Sequence, residues 1–183
     1  MRYLYCGLAF LLLAGCGSSG GWDLFQPDSA TASSEWSDNF RIEHTIDGSG
    51  LPPEFEPEDE HRPYASGNHW STEDGDVEGA WAWYRFDRPV TVDTLFLWNH
   101  RSTSPPAFSS NYYVTRFDLE LFDEENRRLL DLRDVTAVGN RADAQVYGFD
   151  STKDVRSARI TIRANGGEPR VTGLAEVAFG GYR

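Results

Sequence analysis

The sequence predicts an all-β protein, a β-sandwich or jelly roll, and three observations carry that expectation. Apolar and polar residues alternate in several short runs, turn-forming residues separate the runs, and no stretch keeps a helical apolar period for three turns. Phe117, Leu119 and Leu121 alternate with Asp118 and Glu120, as in a strand with one wet face. Ile160 and Ile162 alternate likewise with Arg159, Thr161 and Arg163. Val90 to Trp98 is almost wholly apolar or β-branched, which reads as a central strand covered on both faces. Leu174 to Phe179, followed by Gly180-Gly181, reads as a closing strand. Asp123 to Asn126 is expected to turn a hairpin between Phe122 and Leu129, and Asn165-Gly166-Gly167 to form a loop. Ile42 to Ile46 suits a short helical turn, and no internal repeat is visible.

The first residues follow a different logic. Met1-Arg2 precede an apolar run from Leu4 that is too short to span a bilayer and ends on Leu13-Ala14-Gly15-Cys16. A positive start, a short apolar stretch and small residues before the cut are the parts of a secretory signal, and this ending resembles a bacterial lipoprotein signal. Residues 1–15 are therefore expected to be the signal peptide, with Cys16 the lipidated first residue of the mature chain. Each buried acyl CH2 contributes roughly 0.8 kcal/mol, so several chains on one cysteine hold a soluble domain at a membrane. Residues 16–28 read as anchor and flexible spacer, with Gly17 to Gly21 free of the Gly-Lys-Ser/Thr that a phosphate loop needs. Residues 29–183 read as a single domain. Gly17, rather than an aspartate, points to the outer membrane if the host sorts lipoproteins by their second residue.

Composition narrows the chemistry. Cys6 lies in the signal and Cys16 would carry lipid, so neither a disulfide nor a cysteine-based zinc site is expected. The formal charge of −12 becomes −13 once Arg2 leaves, which disfavours nucleic acid and anionic head groups and suits divalent cations. Gly17 to Gly21 matches Gly-x-Ser-x-Gly only as flexible spacer and not as an elbow, there is no His-Glu-x-x-His helix, and of the four scattered histidines only His61 and His69 lie close in sequence, so the chain reads as non-enzymatic. Two segments exceed simple connections: Leu51 to Gly67, with four prolines and five acidic residues, and His100 to Asn111, rich in serine and proline. The acidic one reads as a solvated insertion and the other as a candidate binding loop.

Several motifs in order resemble the discoidin, or F5/8 type C, domains, which include bacterial galactose-binding-like modules. They are Ala30 to Trp36, Ile46-Asp47-Gly48, Trp70-Ser71, Trp81 to Phe86, the strand Val90 to Leu97, Val114 to Leu121, Ser157 to Ile162, and Gly173 to Val177. The resemblance implies an eight-stranded jelly-roll sandwich that binds ligands through loops at one end, and it implies a structural calcium ion with Asp47 and Glu176 as ligands. Asp47 equally suits a plain Asp-Gly turn. It further implies a carbohydrate site in the loop that opens Asn99-His100-Arg101 and closes at Asn111-Tyr112-Tyr113, with Arg101 the main donor. Arg101 also suits a surface ion pair in so acidic a chain. Tyr112, Phe108 or Trp70 is the expected stacking ring, since the loop Asn165 to Arg170 holds no aromatic residue, while Trp83 and Trp98 are expected to pack inside. The function expected is a membrane-anchored, non-catalytic carbohydrate-binding lipoprotein; the alternative is an adaptor that docks on another envelope protein.

Overall fold

The computed structural model describes residues 21–102 and 111–183. Eight strands run in order β1 (Asp23–Phe25), β2 (Ser29–Ala32), β3 (Trp70–Ser71), β4 (Trp81–Asn99), β5 (Val114–Phe122), β6 (Arg128–Thr136), β7 (Gln145–Asn165) and β8 (Gly173–Tyr182). All strand pairings are antiparallel, and two 3-10 turns, Asp38–Phe40 and Ile42–Thr45, precede β3. Among the described residues no helix is long and apolar enough to cross a membrane.

Two strands make the sandwich. Trp81–Phe86 and Val90–Leu97, expected as separate strands, form one strand of 19 residues whose register with β7 shifts between Arg85 and Val90. Pro89 sits at that bend, where a residue without an N–H costs no ladder bond. Opposite it, Asp154 takes a left-handed conformation (φ 60°) in the 21-residue β7. Beyond these irregularities both strands change neighbours, and the sheet folds over on itself. One layer is β2, the first half of β4, the second half of β7, β5 and β6; the other is the remaining halves with β8, β1 and β3. Between them lie Tyr84, Leu95, Leu97, Phe117, Leu119, Leu121, Ile160, Ile162 and Phe179, all essentially sealed from water.

The alternating strands place their apolar residues inward as expected, but the face expected to be wet is not. Asp118 is 2% exposed and Glu120 8%, because arginines lie over them. Arg133 and Arg163 donate to Asp118 Oδ2 at 2.7 and 2.6 Å, while Arg128 and Arg133 donate to Glu120 Oε1 at 3.0 and 2.9 Å. The stretch Leu95 to Trp98 is covered on both faces, with Phe96 and Trp98 turned away from the main core. What covers them corrects the reading of Leu51 to Gly67 as a solvated insertion. Leu51 is buried beside them, Phe55 meets Trp98 edge-on at 5.3 Å, and the Trp98 indole donates to the Asp59 carbonyl at 3.0 Å. Backbone bonds from Ala144 to the Pro57 carbonyl and from His61 to the Ala142 carbonyl fasten the segment down. Trp83 also departs from expectation. It faces outward, stacked on Phe122 at 5.2 Å with the Arg159 guanidinium 5.8 Å from its ring.

β1 lies inside the stretch read as spacer and pairs with β8, Asp23 opposite Gly181 and Phe25 opposite Phe179. The sandwich therefore begins by Asp23. Residues 1–20, with the expected signal and Cys16, lie outside the described residues, as does Phe108.

Candidate functional site

The ends of β3, β4, β5, β7 and β8 converge at one pole, and the segments there carry aromatic residues. The Trp36 backbone N–H donates to the Ser71 carbonyl at 2.8 Å, and the Tyr64 N–H donates to the Arg101 carbonyl at 2.7 Å. These bonds bring three separate loops together. Phe40 and Tyr64 stack at 5.7 Å, and the ring of His69 lies against both, at 4.9 and 4.6 Å. His100 lies deeper, 5.2 Å from His69 and from Tyr112. The result is a small pocket of about 70 Å³ lined by Trp36, Phe40, Tyr64, Ser71, Tyr112 and Val171. Trp36 and Tyr64 are about two-fifths exposed, whereas Tyr112 and Ser71 are buried.

Three histidines, two of them close in sequence and the third some thirty residues on, gather beneath this pocket. His61, His69 and His100 are each at most 2% exposed. His69 Nδ1 lies 3.0 Å from Asn68 Oδ1, which also accepts from the Ala65 N–H, so Nδ1 is assigned the proton and Nε2 is a bare acceptor. His61 Nδ1 donates to the Arg62 carbonyl at 2.7 Å, and both ring nitrogens of His100 lack partners. Burial holds His69 down at about 2 and His100 at about 3, with their mutual repulsion and that of His61 adding to it, so the cluster is neutral. Gly50 is required beneath it, because a Cβ there would sit 1.9 Å from His61 Nε2.

The residues expected to bind a sugar divide. Tyr112 lines the pocket and His100 backs it. Asn111 is exposed beside Tyr112. Arg101 lies 3.7 Å from Glu60, the surface ion pair that the acidic composition also allowed. Asn99 and Trp70 are placed under the site rather than in it. Asn99 uses all four of its bonding positions on backbone: donations to the Val114 and Val138 carbonyls, and acceptances from the His100 and Val114 N–H groups. Trp70 is fully buried, with its indole donating to the Ser34 carbonyl at 2.9 Å. Neither side chain offers an atom to a ligand. Sequence reasoning passed over Trp36, Phe40, Tyr64 and Ser71. A signal was available in large aromatic residues set among the Ser, Asp and Pro of loop segments.

Asp47 and Glu176 do come together, at a second place on the surface. Glu176 is fully buried on β8; its Oε1 accepts from Gln26 Nε2 at 2.5 Å and from the Gly48 N–H at 3.3 Å, and its Oε2 has no partner. Burial pushes its carboxyl up to about 8, with Asp47 adding to the rise. Asp47 Oδ1 accepts from the Ser49 N–H and Oδ2 faces His44 Nδ1 at 3.0 Å, so it also fixes its own turn. Among the described residues no three His, Cys, Asp or Glu side chains are grouped to hold a metal. A calcium ion here would need backbone carbonyls and the Gln26 amide to complete six to eight oxygens. The bare buried Oε2 fits such an ion.

The fold is a jelly-roll β-sandwich like that of galactose-binding-like carbohydrate-binding modules of known structure. No family model matches the chain, and neither does any curated protein sequence. Among solved structures, it is similar to the family 32 carbohydrate-binding module of NanJ from C. perfringens in complex with galactose, at 16% identity and a TM-score of 0.59, over 83% of this chain and 92% of that one. It is similar to the family 32 module of AlyQ in complex with 4,5-unsaturated mannuronic acid, at 19% identity and a TM-score of 0.60, over 86% and 97%. A truncated AlyQ that also contains an alginate lyase domain matches with a TM-score of 0.62 at 18% identity; this chain covers 89% of its own length but spans about a third (34%) of that protein.

Proposed function

We propose that the protein is a non-catalytic carbohydrate-binding domain, tethered to the outer membrane through lipid on Cys16, with the aromatic pocket as its sugar site. The carrying observation is the exposed, loop-borne cluster of Trp36, Phe40 and Tyr64 beside Tyr112, at the pole where the strand ends converge. Aromatic faces pack against the C–H side of sugar rings, and loops on a rigid sandwich are where binding residues sit. The carbohydrate complexes of the similar structures support this reading. So does the path of the chain: Asp23 enters beside Gly181, on the order of 25 Å along β8 from Gly173 beside the pocket. A tether before Gly21 would thus leave the pocket facing away from the membrane.

Calcium on Glu176 and Asp47 belongs to this proposal as a structural ion, supplying the positive charge that the buried carboxylate lacks. The folded-state pKa of Glu176 lies above its ordinary 4.5, so without metal its contribution to stability is complete below about 4.5 and is lost as pH rises toward 8. Calcium is expected to raise the melting temperature more at pH 8 than at pH 5, and Glu176→Gln to abolish the response; equal melting curves in calcium and chelator would remove the ion from the account.

Binding of the full chain to a glycan array tests the main reading. Tyr64→Ala is expected to weaken any retained glycan about tenfold or more without moving the melting temperature by more than a few degrees. Retention of no glycan, with capture of an envelope protein instead, would favour an adaptor. Cys16→Ser is expected to abolish acyl labelling, and unchanged labelling would sink the lipid anchor.

A further inference from the structure

We propose that a polar cleft at the pole opposite the aromatic pocket binds a zwitterion in which a phosphate is joined to an ammonium, the chemistry of a phosphoethanolamine head group. The cleft lies where β4 and β7 bend and where β5 turns into β6. β5 runs from Val114, beside Asn165 at the aromatic pole, to Phe122, beside Ser157 at this one. The cleft measures about 410 Å³, several times the aromatic pocket, and its lining includes Ser29, Arg85, Asp87, Glu124, Asn126 and Arg156. That volume falls within the about 300–1,000 Å³ usual for small-molecule sites. All six side chains are exposed or half-buried, so a ligand reaches them directly.

In a chain of formal charge −12 an arginine readily finds a carboxylate, and on the adjoining sheet face Arg128, Arg133 and Arg163 do so. The guanidinium groups of Arg85 and Arg156 have no ion pair or hydrogen bond among the described residues, although carboxylates line the same cleft. Other bonds hold the walls in place. Asp28 ties the β4 bend: its N–H donates to the Arg85 carbonyl and its Oδ2 accepts from the Asp87 N–H, both at 2.9 Å. Asp123 ties the hairpin, accepting from the Glu125 and Arg127 N–H groups at 3.0 and 2.8 Å and from Arg127 Nε at 2.6 Å. Asp28 and Asp123 are thus occupied, while the carboxylates of Asp87 and Glu124 have no partner among the described residues. Two guanidinium forks, the Ser29 hydroxyl and the Asn126 amide offer more donors than the two oxygens of a carboxylate accept, and a tetrahedral phosphate takes them from several directions. Asp87 and Glu124 repel a plain polyanion and suit an ammonium carried on the same molecule. Only the source of the zwitterion rests on the tether proposed above. Asp23 enters opposite Gly181 at this pole, so a lipid anchor would hold the cleft toward the membrane and its head groups.

Calorimetric titration of the full chain with soluble O-phosphoethanolamine, inorganic phosphate and ethanolamine tests the site. The zwitterion is expected to bind about tenfold or more tighter than either part alone. Arg85→Gln and Arg156→Gln are each expected to weaken it about tenfold or more without moving the melting temperature by more than a few degrees. Asp87→Asn combined with Glu124→Gln is expected to bring it close to inorganic phosphate. Inorganic phosphate binding as tightly as the zwitterion overturns the proposal, and so does zwitterion binding that is absent or indifferent to both arginine variants. Sedimentation of the Cys16→Ser chain with phosphatidylcholine vesicles, with and without phosphatidylethanolamine, separates the sources. Retention only by vesicles that contain phosphatidylethanolamine supports the membrane; binding of the soluble compound without retention supports the site and overturns the membrane as its source. Glycan binding at the aromatic pole is read separately, and its failure leaves these outcomes unchanged.

Discussion

The aromatic pole and the outer face of β5, β6 and β7 both bury polar side chains, by opposite rules. On the sheet face Asp118 and Glu120 are covered, yet every acidic oxygen that matters meets an arginine or a backbone N–H. The Asp118 carboxyl is held at about 2; desolvation opposes this, but bonds from Arg163, the Asp134 N–H and Arg133 outweigh it. At the pole, His61, His69, His100 and Ser71 are covered with ring nitrogens or a hydroxyl left bare. A closed network stabilises and rigidifies a sheet; bare polar atoms under exposed rings cost stability and are tolerated where something else is to be bound. The contrast separates a satisfied sheet face from the pole to which the proposal assigns binding.

Acid is expected to break this contrast most strongly. The folded-state pKa values of His69 and His100, about 2 and about 3, lie below the ordinary 6.5, so their contribution is complete above pH 6.5 and is lost as pH falls, because only the unfolded chain takes up the protons. At pH 4.5 the loss is expected to reach roughly a few kcal/mol for the pair. Glu176 acts in the opposite direction between about 4.5 and 8, so urea unfolding at pH 7.5 and 4.5 should be compared in a Glu176→Gln background. A slope that survives replacement of both histidines by glutamine would place the acid sensitivity elsewhere.

On the sheet face the expected loss is smaller. Asp118→Asn removes charged partners from Arg133 and Arg163, whose guanidinium groups stay about two-fifths exposed and regain water. The variant is expected to lose about 1.5–3 kcal/mol by denaturant titration at neutral pH. Asp118 adds to the acid loss only between about 4 and 2, so from pH 6.5 down to about 4 the histidines act without it, and below that the two regions act together. A loss below about 0.5 kcal/mol would mean that the arginine network only decorates the sheet.

Arg101→Ala gives the smallest effect. Its contact with Glu60 is 3.7 Å long and Glu60 is largely exposed, so stability should change by less than about 1 kcal/mol. A larger loss would join Arg101 to the buried histidines and blur the boundary between rim and floor.

Much of this architecture was legible in order along the chain. The alternation at Phe117 to Leu121, the hairpin at Asp123 to Asn126, the turn at Ile42 and the doubly covered end of Val90 to Trp98 all follow from period and turn chemistry, which act over neighbours in sequence. That Asp47 and Glu176 lie near each other was legible through the resemblance, while calcium on them stays a proposal. The site was less so. Asn99 and Trp70 have the right chemistry for a sugar, but whether such a side chain meets a ligand or a carbonyl depends on what packs over it, and here Val114, Val138 and Ser34 take up their capacity. Likewise, no local pattern distinguishes a proline-rich acidic loop in water from one whose Leu51 and Phe55 close over Trp98.

The sequence by itself determined the class of fold, the order of its strands and the sign of its charge, because binary pattern, turn residues and composition need no distant partner. Only the tertiary structure decided that residues 36, 40, 64, 71 and 112 share one pocket and that histidines 61, 69 and 100 lie together beneath it. Those encounters come from the bends in β4 and β7 and from loops that meet only when both layers are closed. The energy that fixes them belongs to long-range burial, which acts on the folded surface and leaves no period in the chain.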